Sequence, residues 1–439
     1  MSVKTRSGKK ALGLGMATAL VTGNMIGSGV FLLPAALAGY GGMSIVGWLF
    51  TAAGAMLLAL VFSRLGRAFP LIGGPYAYAR MGFGDFIGFE MAWGYWISIW
   101  TGNAAIATAF VGYLAVFWPA LGRSPMLAAA VASAAIWLLT GVNAAGVRSA
   151  GWVQLVTTIG KLIPLLAIGL IGIFFIDTAH FVPFHTGDAS PFSAVSAVAA
   201  LTLWAFLGLE SATIPAADVE DAARTIPRAT VLGTAIAAVI YLLGTVAVMG
   251  VIPAAELART TAPFADAARA LWGSWAGYAV AIGAILSSFG ALNGWILLQG
   301  QIPRAAAGDG LFPARFGRLV GRGTPVFGLV VSSVLATVLI AMKYHAGLVA
   351  VFTFVILLAT ISTLVPYLFT TMAELLLFIN ERERFGGERL AGSAAIAVLA
   401  FAYSLWAIAG AGQEAVFWGV LLLFAGMPVY VGMRWRRPR

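Results

Sequence analysis

The sequence predicts an all-α, polytopic membrane protein of twelve transmembrane helices, and three features carry that prediction. Of its 439 residues, 61% are hydrophobic and only 10% are charged, whereas a water-soluble domain runs at about 45–50% apolar and about 25% charged. The apolar residues gather into long runs, most of them near or above the roughly 20 residues that a helix needs to cross a bilayer. Lys and Arg are then distributed unevenly between alternate connections. Together these exclude a disordered chain, a soluble enzyme and an ordinary water-facing surface.

The runs lie at 12–38, 44–64, 86–118, 126–143, 150–176, 192–217, 228–252, 274–303, 325–343, 348–378, 391–411 and 414–433. The connections are short, so residues 1–439 read as one transmembrane domain. The basic N-terminus is followed by an apolar run without a cleavage signal, which reads as the first span rather than a removed leader. With the N-terminus inside, 21 of the 26 Lys and Arg fall on inside segments and 4 outside, with Lys161 within the fifth span. That asymmetry places both termini in the cytoplasm, across a cytoplasmic (inner) membrane. It also explains the net charge of +10 without nucleic acid as a partner. Cysteine is absent and the three histidines sit in connections, so no disulfide, metal site or thiol chemistry is expected. No phosphate-loop, zinc-hydrolase, flavin or nicotinamide pattern is evident, so no cofactor is expected.

Two spans carry interruptions. The first contains Gly23-Asn24-Met25-Ile26-Gly27-Ser28-Gly29 with Pro34 a turn later, and the sixth contains Trp204-Ala205-Phe206-Leu207-Gly208-Leu209-Glu210. Glycine costs about 1 kcal/mol against alanine in a helix interior, and bared backbone must face protein or a watery cavity. Interruptions at matching positions of two five-span halves point to an inverted-repeat transporter with its site near the midplane. The competing reading is that membrane helices use glycine for close packing. Glu210, a carboxylate inside an apolar run, favours a site: such a group binds a cation, carries a proton or gates. A structural hydrogen-bonded role is its alternative.

The interruptions also offer a binding mechanism. Free N–H groups at Ser28 and Gly29 suit an anionic group, and carbonyls near Ala205–Gly208 suit a cation. One end for carboxylate and one for ammonium is what an α-amino acid requires. Trp204 and Trp295 lie mid-span, where they can cover a bound molecule or hold a cation on a ring face, or simply fill space. Tyr95 and Asn103 share one face of the third span, and Tyr367 follows Pro366 in the tenth. Lys161, roughly 15 Å into the fifth span, either fills a cation site, relays a proton or snorkels to the interface. Glu90 and Glu374 read as solvated ends of the third and tenth spans. Asp218, Glu220, Asp221, Arg224 and Arg228 form a polar loop or a lock with Arg64 or Arg80.

These motifs resemble the amino acid–polyamine–organocation (APC) transporter superfamily, in particular its bacterial arginine/agmatine and ornithine/putrescine antiporters. The matching segments are GNMIGSGVFLLPA at 23–35, GGPYAYAR at 73–80, the YW and GN pairs within 95–103, LTLWAFLGLESA at 201–212, GDGLFP at 308–313 and TLVPYL at 363–368. The resemblance implies a LeuT-like five-plus-five inverted repeat, about 12–176 and 192–378, then two additional helices at about 391–433, often in a homodimer. It implies that Asn24, Ile26, Ser28, Gly29 and Ala205 hold the substrate's amino acid end. It further implies that Asn103 and Trp295 hold the distal end, and that Trp204, Tyr95, Glu210 and Tyr367 gate. Ala359 stands where those antiporters have a substrate-binding serine. Lys161 resembles a lysine that replaces sodium in sodium-independent exchangers. The expected function is sodium-independent exchange of a cationic amino acid for an amine, with protons as a possible further partner. A neutral amino acid exchanger or proton-coupled permease is the alternative, and a channel or scaffold the reading from a different class.

Overall fold

Backbone groups in hydrocarbon have no water to bond, and a helix satisfies them within one segment. The computed structural model describes residues 13–27, 29–70, 74–145, 165–186, 190–213, 219–321, 323–386 and 390–435. Its helices are α1 (Leu14–Met25), α2 (Gly29–Leu37), α3 (Met43–Ala68), α4 (Pro75–Phe83), α5 (Asp85–Leu114) and α6 (Pro125–Ala144). After them come α7 (Leu165–Phe175), α8 (Pro191–Leu203), α9 (Ala222–Val251), α10 (Pro263–Trp272) and α11 (Ser274–Gly308). The chain ends with α12 (Val326–Lys343), α13 (Leu348–Asn380), α14 (Leu390–Gly410), α15 (Gln413–Phe424) and α16 (Gly426–Trp435). Several starts are written in the sequence. Proline stands at the head of α4, α6, α8 and α10, where its missing N–H costs nothing. Ser124 and Ser190 cap α6 and α8 by accepting from the N–H groups of Leu127 and Ser193.

Ten helices among the described residues are long and apolar enough to cross a membrane, and α1 with α2 makes an eleventh, bent by 41°. The chain is an all-α polytopic membrane protein. The run 126–143 is helix α6. The fifth expected span is described only from Leu165 onward, so Lys161 lies outside the described residues, as does Ser28. The last expected span divides at Ala425 into α15 and α16.

Two packing groups position the site. Helix α9 packs on α1 and α3, and α3 on α8; α5 packs on α6 and α11, and α12 on α6 and α11. Helix α13 lies against α5 and carries α14 and α15 outside it. The third span is the most enclosed, with nearly all of Gly88–Tyr113 buried. It faces the interrupted helices of the first group, so polar groups there meet protein rather than lipid.

Candidate substrate site

The first interruption is a tight turn. Helix α1 stops at Met25, the Ile26 N–H donates to the Thr22 carbonyl at 2.8 Å, and the Gly27 N–H donates to the Met25 carbonyl at 2.8 Å. Helix α2 restarts at Gly29, and the first N–H groups of any helix lack partners within it. The second interruption is longer. Helix α8 stops at Leu203, Trp204–Phe206 make one 3-10 turn, Leu207 is extended, and Ser211–Thr213 make another 3-10 turn. Gly208 between them has φ +103°, and a Cβ there would stand 3.3 Å from Asn24 Cβ. The two breaks therefore touch, as the sequence pattern requires.

Trp204 lies between two glycines. A Cβ on Gly29 would stand 2.7 Å from the indole Nε1, and a Cβ on Gly102 would stand 2.8 Å from Cη2. Only residues without a side chain leave room for the ring at both ends. Asn24, Gly29, Ile106, Trp204, Ala205 and Trp295 contribute to the lining of one cavity of ≈ 20 Å³, room for about one water molecule. A cavity of that size does not hold an amino acid. The expectation of a bare carbonyl at Ala205 needs correction: the Tyr241 hydroxyl donates to it at 2.9 Å, leaving one lone pair. Tyr241 is a buried residue of α9 that the sequence pattern did not single out.

A second buried cluster joins three elements. The Glu210 carboxylate accepts from the Tyr367 hydroxyl at 2.5 Å, from the Gly208 N–H at 3.2 Å, and from the Tyr95 hydroxyl. Glu210 and Tyr367 are wholly enclosed and Tyr95 is 1% exposed. Three donors satisfy a carboxylate that has no water to turn to. Asn103, on the same helix as Tyr95, is buried and donates from Nδ2 to Gln299 Oε1 at 2.7 Å. Gln299 follows Trp295 by one helical turn, and a mid-span amide was the signal available for finding it.

The structure thus gathers Asn24, Gly29, Trp204, Ala205 and Trp295 at the cavity, with Ile26 buried in the turn beside them. It gathers Tyr95, Glu210 and Tyr367 in the second cluster. Ala359 is buried in α13 and is not among the residues lining this cavity. One expectation is overturned, and one alternative, the lock of the 218–228 loop, is not formed among the described residues. Glu90 and Glu374 are not solvated ends: they are 5% and 0% exposed, and Arg64 Nε stands 2.7 Å from Glu374 Oε1. Nor do Arg64 and Arg80 pair with the described residues of the 218–228 loop. Arg64 is taken by Glu374, and Arg80 by Asp85 at 2.9 Å and Asp309 at 3.6 Å.

A family model described as amino acid permease matches residues 12–432. The chain is 33% identical over 420 residues to the putrescine transporter PotE of Haemophilus influenzae, covering 95% of this chain and 96% of that protein. It is 37% identical over 373 residues to a cadaverine/lysine antiporter of Escherichia coli, covering 83% of each. It is 35% identical over 456 residues to a putative arginine/ornithine antiporter of Bacillus subtilis, covering 96% of each. With interrupted helices meeting at a buried cavity and a match along almost its whole length, the chain belongs to the amino acid permease family of the amino acid–polyamine–organocation superfamily, and it is a transporter rather than an enzyme.

Proposed function

We propose that this protein is a sodium-independent antiporter of the cytoplasmic membrane that exchanges a cationic amino acid, arginine or ornithine, for an amine such as agmatine or putrescine. The observation that carries this reading is the contact of the two helix breaks beside a cavity bordered by Trp204 and Trp295. The relatives support the substrate class, since each is named for a basic amino acid or a diamine. Twelve helices in a five-plus-five repeat, about 12–176 and 192–378 with both termini cytoplasmic, are part of the proposal. Its support is the packing: first, second, sixth and seventh spans form one group, and third, fourth, eighth and ninth the other.

In this mechanism the carboxylate sits at the start of α2, against N–H groups at Ser28 and Gly29. The α-ammonium takes the remaining lone pair of the Ala205 carbonyl, with Asn24 and Ile26 framing it. The distal cation lies over Trp295, with the Asn103 amide beside it. Trp204 closes on the bound molecule, and parting of Tyr95, Glu210 and Tyr367 opens the cytoplasmic side. Glu210 is positioned to take a proton once its phenol donors leave. Lys161 fills the place of a sodium ion, and a homodimer is the proposed assembly. The second reading is a neutral amino acid exchanger or proton-coupled permease, favoured by Ala359, where a serine would otherwise help hold a guanidinium.

Counterflow in proteoliposomes tests the choice. Labelled arginine or ornithine should exchange against arginine, ornithine, agmatine or putrescine and ignore alanine and serine; the reverse pattern rejects the proposal. Trp295→Leu should weaken cation uptake, and unchanged uptake would remove the ring from the binding of the cation.

A further inference from the structure

A buried chain of hydrogen bonds runs from Asn103 away from the cavity. Asn103 Nδ2 donates to Gln299 Oε1 at 2.7 Å. Gln299 Nε2 donates to the Leu329 carbonyl at 3.1 Å and to Ser333 Oγ at 2.8 Å. Ser333 Oγ and Thr140 Oγ1 are 2.6 Å apart, and Thr140 Oγ1 donates to the Ile136 carbonyl at 2.8 Å. Asn103, Gln299 and Ser333 are wholly enclosed and Thr140 is 3% exposed, so water does not compete for these bonds.

The direction of the chain is fixed by its anchors. A backbone carbonyl can only accept. The Leu329 carbonyl therefore holds the NH₂ group of Gln299 and turns its oxygen toward Asn103. The Ile136 carbonyl takes the hydrogen of Thr140, so Ser333 gives its own hydrogen to Thr140 and accepts from Gln299. Gln299 then presents an acceptor, and Asn103 must offer its NH₂ to it. Asn103 Oδ1 is left as a buried acceptor without a partner. Asn103 and Gln299 do not line the cavity but stand one helical turn from it, Asn103 three positions before the lining residue Ile106 and Gln299 four after the lining residue Trp295. A buried acceptor left unmade is costly, and a ligand that supplies a donor recovers that cost.

We propose that Gln299, anchored by the Leu329 carbonyl and Ser333, is a positioning residue that locks Asn103 as an acceptor. The lock makes an N–H donor at the distal end of the substrate a condition for tight binding. Guanidinium and ammonium carry only donors and satisfy it, whereas a carbonyl or thioether end does not. The inference rests on the proposed exchange of cationic amino acids and deepens it, by naming what reads the distal end.

The test compares arginine with methionine sulfoxide, whose distal S=O accepts hydrogen bonds and carries no N–H donor. Exchange is measured in proteoliposomes for wild type, Gln299→Met, Gln299→Glu, Asn103→Ala and the Asn103→Ala/Gln299→Met double variant. In Gln299→Met the amide of Asn103 is free to turn. The ratio of the KM for methionine sulfoxide to that for arginine should fall about tenfold, the size of one hydrogen bond, while maximal exchange changes little. Gln299→Glu still accepts from Asn103 and should keep the wild-type preference or strengthen it. In the Asn103→Ala background, Gln299→Met should change the ratio no further, because Gln299 acts only through Asn103. Should Gln299→Met not fold, Gln299→Leu takes its place with the same expectation. An unchanged ratio in the substituted protein overturns the inference, as does an equal shift in the Asn103→Ala background. Failure of wild type to exchange arginine or ornithine overturns the proposed function, and this inference with it. A wild type that prefers arginine, beside a Gln299→Met variant that keeps the preference, overturns only the lock.

Discussion

Gly102 sets how close Trp204 comes to the third span, and Gly102→Ala tests whether that closeness matters for transport. The new Cβ would stand 2.8 Å from Cη2 and 3.2 Å from Cζ3 of the indole. The ring cannot slide away along its own length, because its other end is already against Gly29. Overpacking of this kind costs about 1–3 kcal/mol. Applied to the conformer in which Trp204 covers the cavity, that disfavours it by a factor of about 5–150. The substitution does not weaken the helix itself, since alanine is a better helix former than glycine by about 1 kcal/mol. Maximal exchange in proteoliposomes should therefore fall within that range while the purified protein keeps its thermal stability. Trp204→Leu in the Gly102→Ala background should then cost less than it does in wild type, because the shorter side chain no longer meets the methyl group. Wild-type exchange in Gly102→Ala, or strictly additive losses in the double variant, would refute the argument.

Three further predictions concern Glu210, Glu374 and Lys161. Tyr367→Phe removes one donor from the Glu210 carboxylate and should weaken the closed cluster by about 1.5–3 kcal/mol. Because the chain has no cysteine, a single Ser98→Cys can report the change as faster labelling from the cytoplasmic side; equal labelling rates would contradict it. Arg64→Ala leaves the enclosed Glu374 without its guanidinium and should destabilise the protein by about 3–5 kcal/mol. Thermal unfolding in detergent should show the Arg64→Ala/Glu374→Ala double variant recovering part of that loss. Exchange should run equally well when choline replaces sodium, and Lys161→Ala should impair it; a strict sodium requirement in wild type would rule out the role given to Lys161.

The helix breaks were legible in the sequence because their chemistry is local. Glycine clusters and a carboxylate inside apolar runs announce that the backbone there is not shielded by its own helix. The pairing of the breaks was read from their spacing together with Glu210, and in the structure Gly208 and Asn24 approach each other closely. What depends on rotation about a helix axis was not. Hydropathy gives the depth of Glu374 but not the side it faces, so a residue near the end of a run read as solvated while the fold buries it against Arg64. Tyr241 looked like an ordinary member of its span, and Gln299 was marked only as a mid-span amide without an evident partner. Their partners, Ala205 and Asn103, lie on other helices, and only packing brings them together. The division at Ala425 does carry a local signal, Gly426 and Pro428, which lay inside a continuous apolar run and was read as part of one span.

The most direct test is the position of a bound substrate, visualised by electron cryomicroscopy of the protein saturated with ornithine or arginine. The account predicts density between the two interruptions, with the carboxylate at the start of α2 near Gly29 and the distal end between Trp295 and Asn103. Density remote from both breaks, or uninterrupted helices running through 23–29 and 204–210, would contradict it.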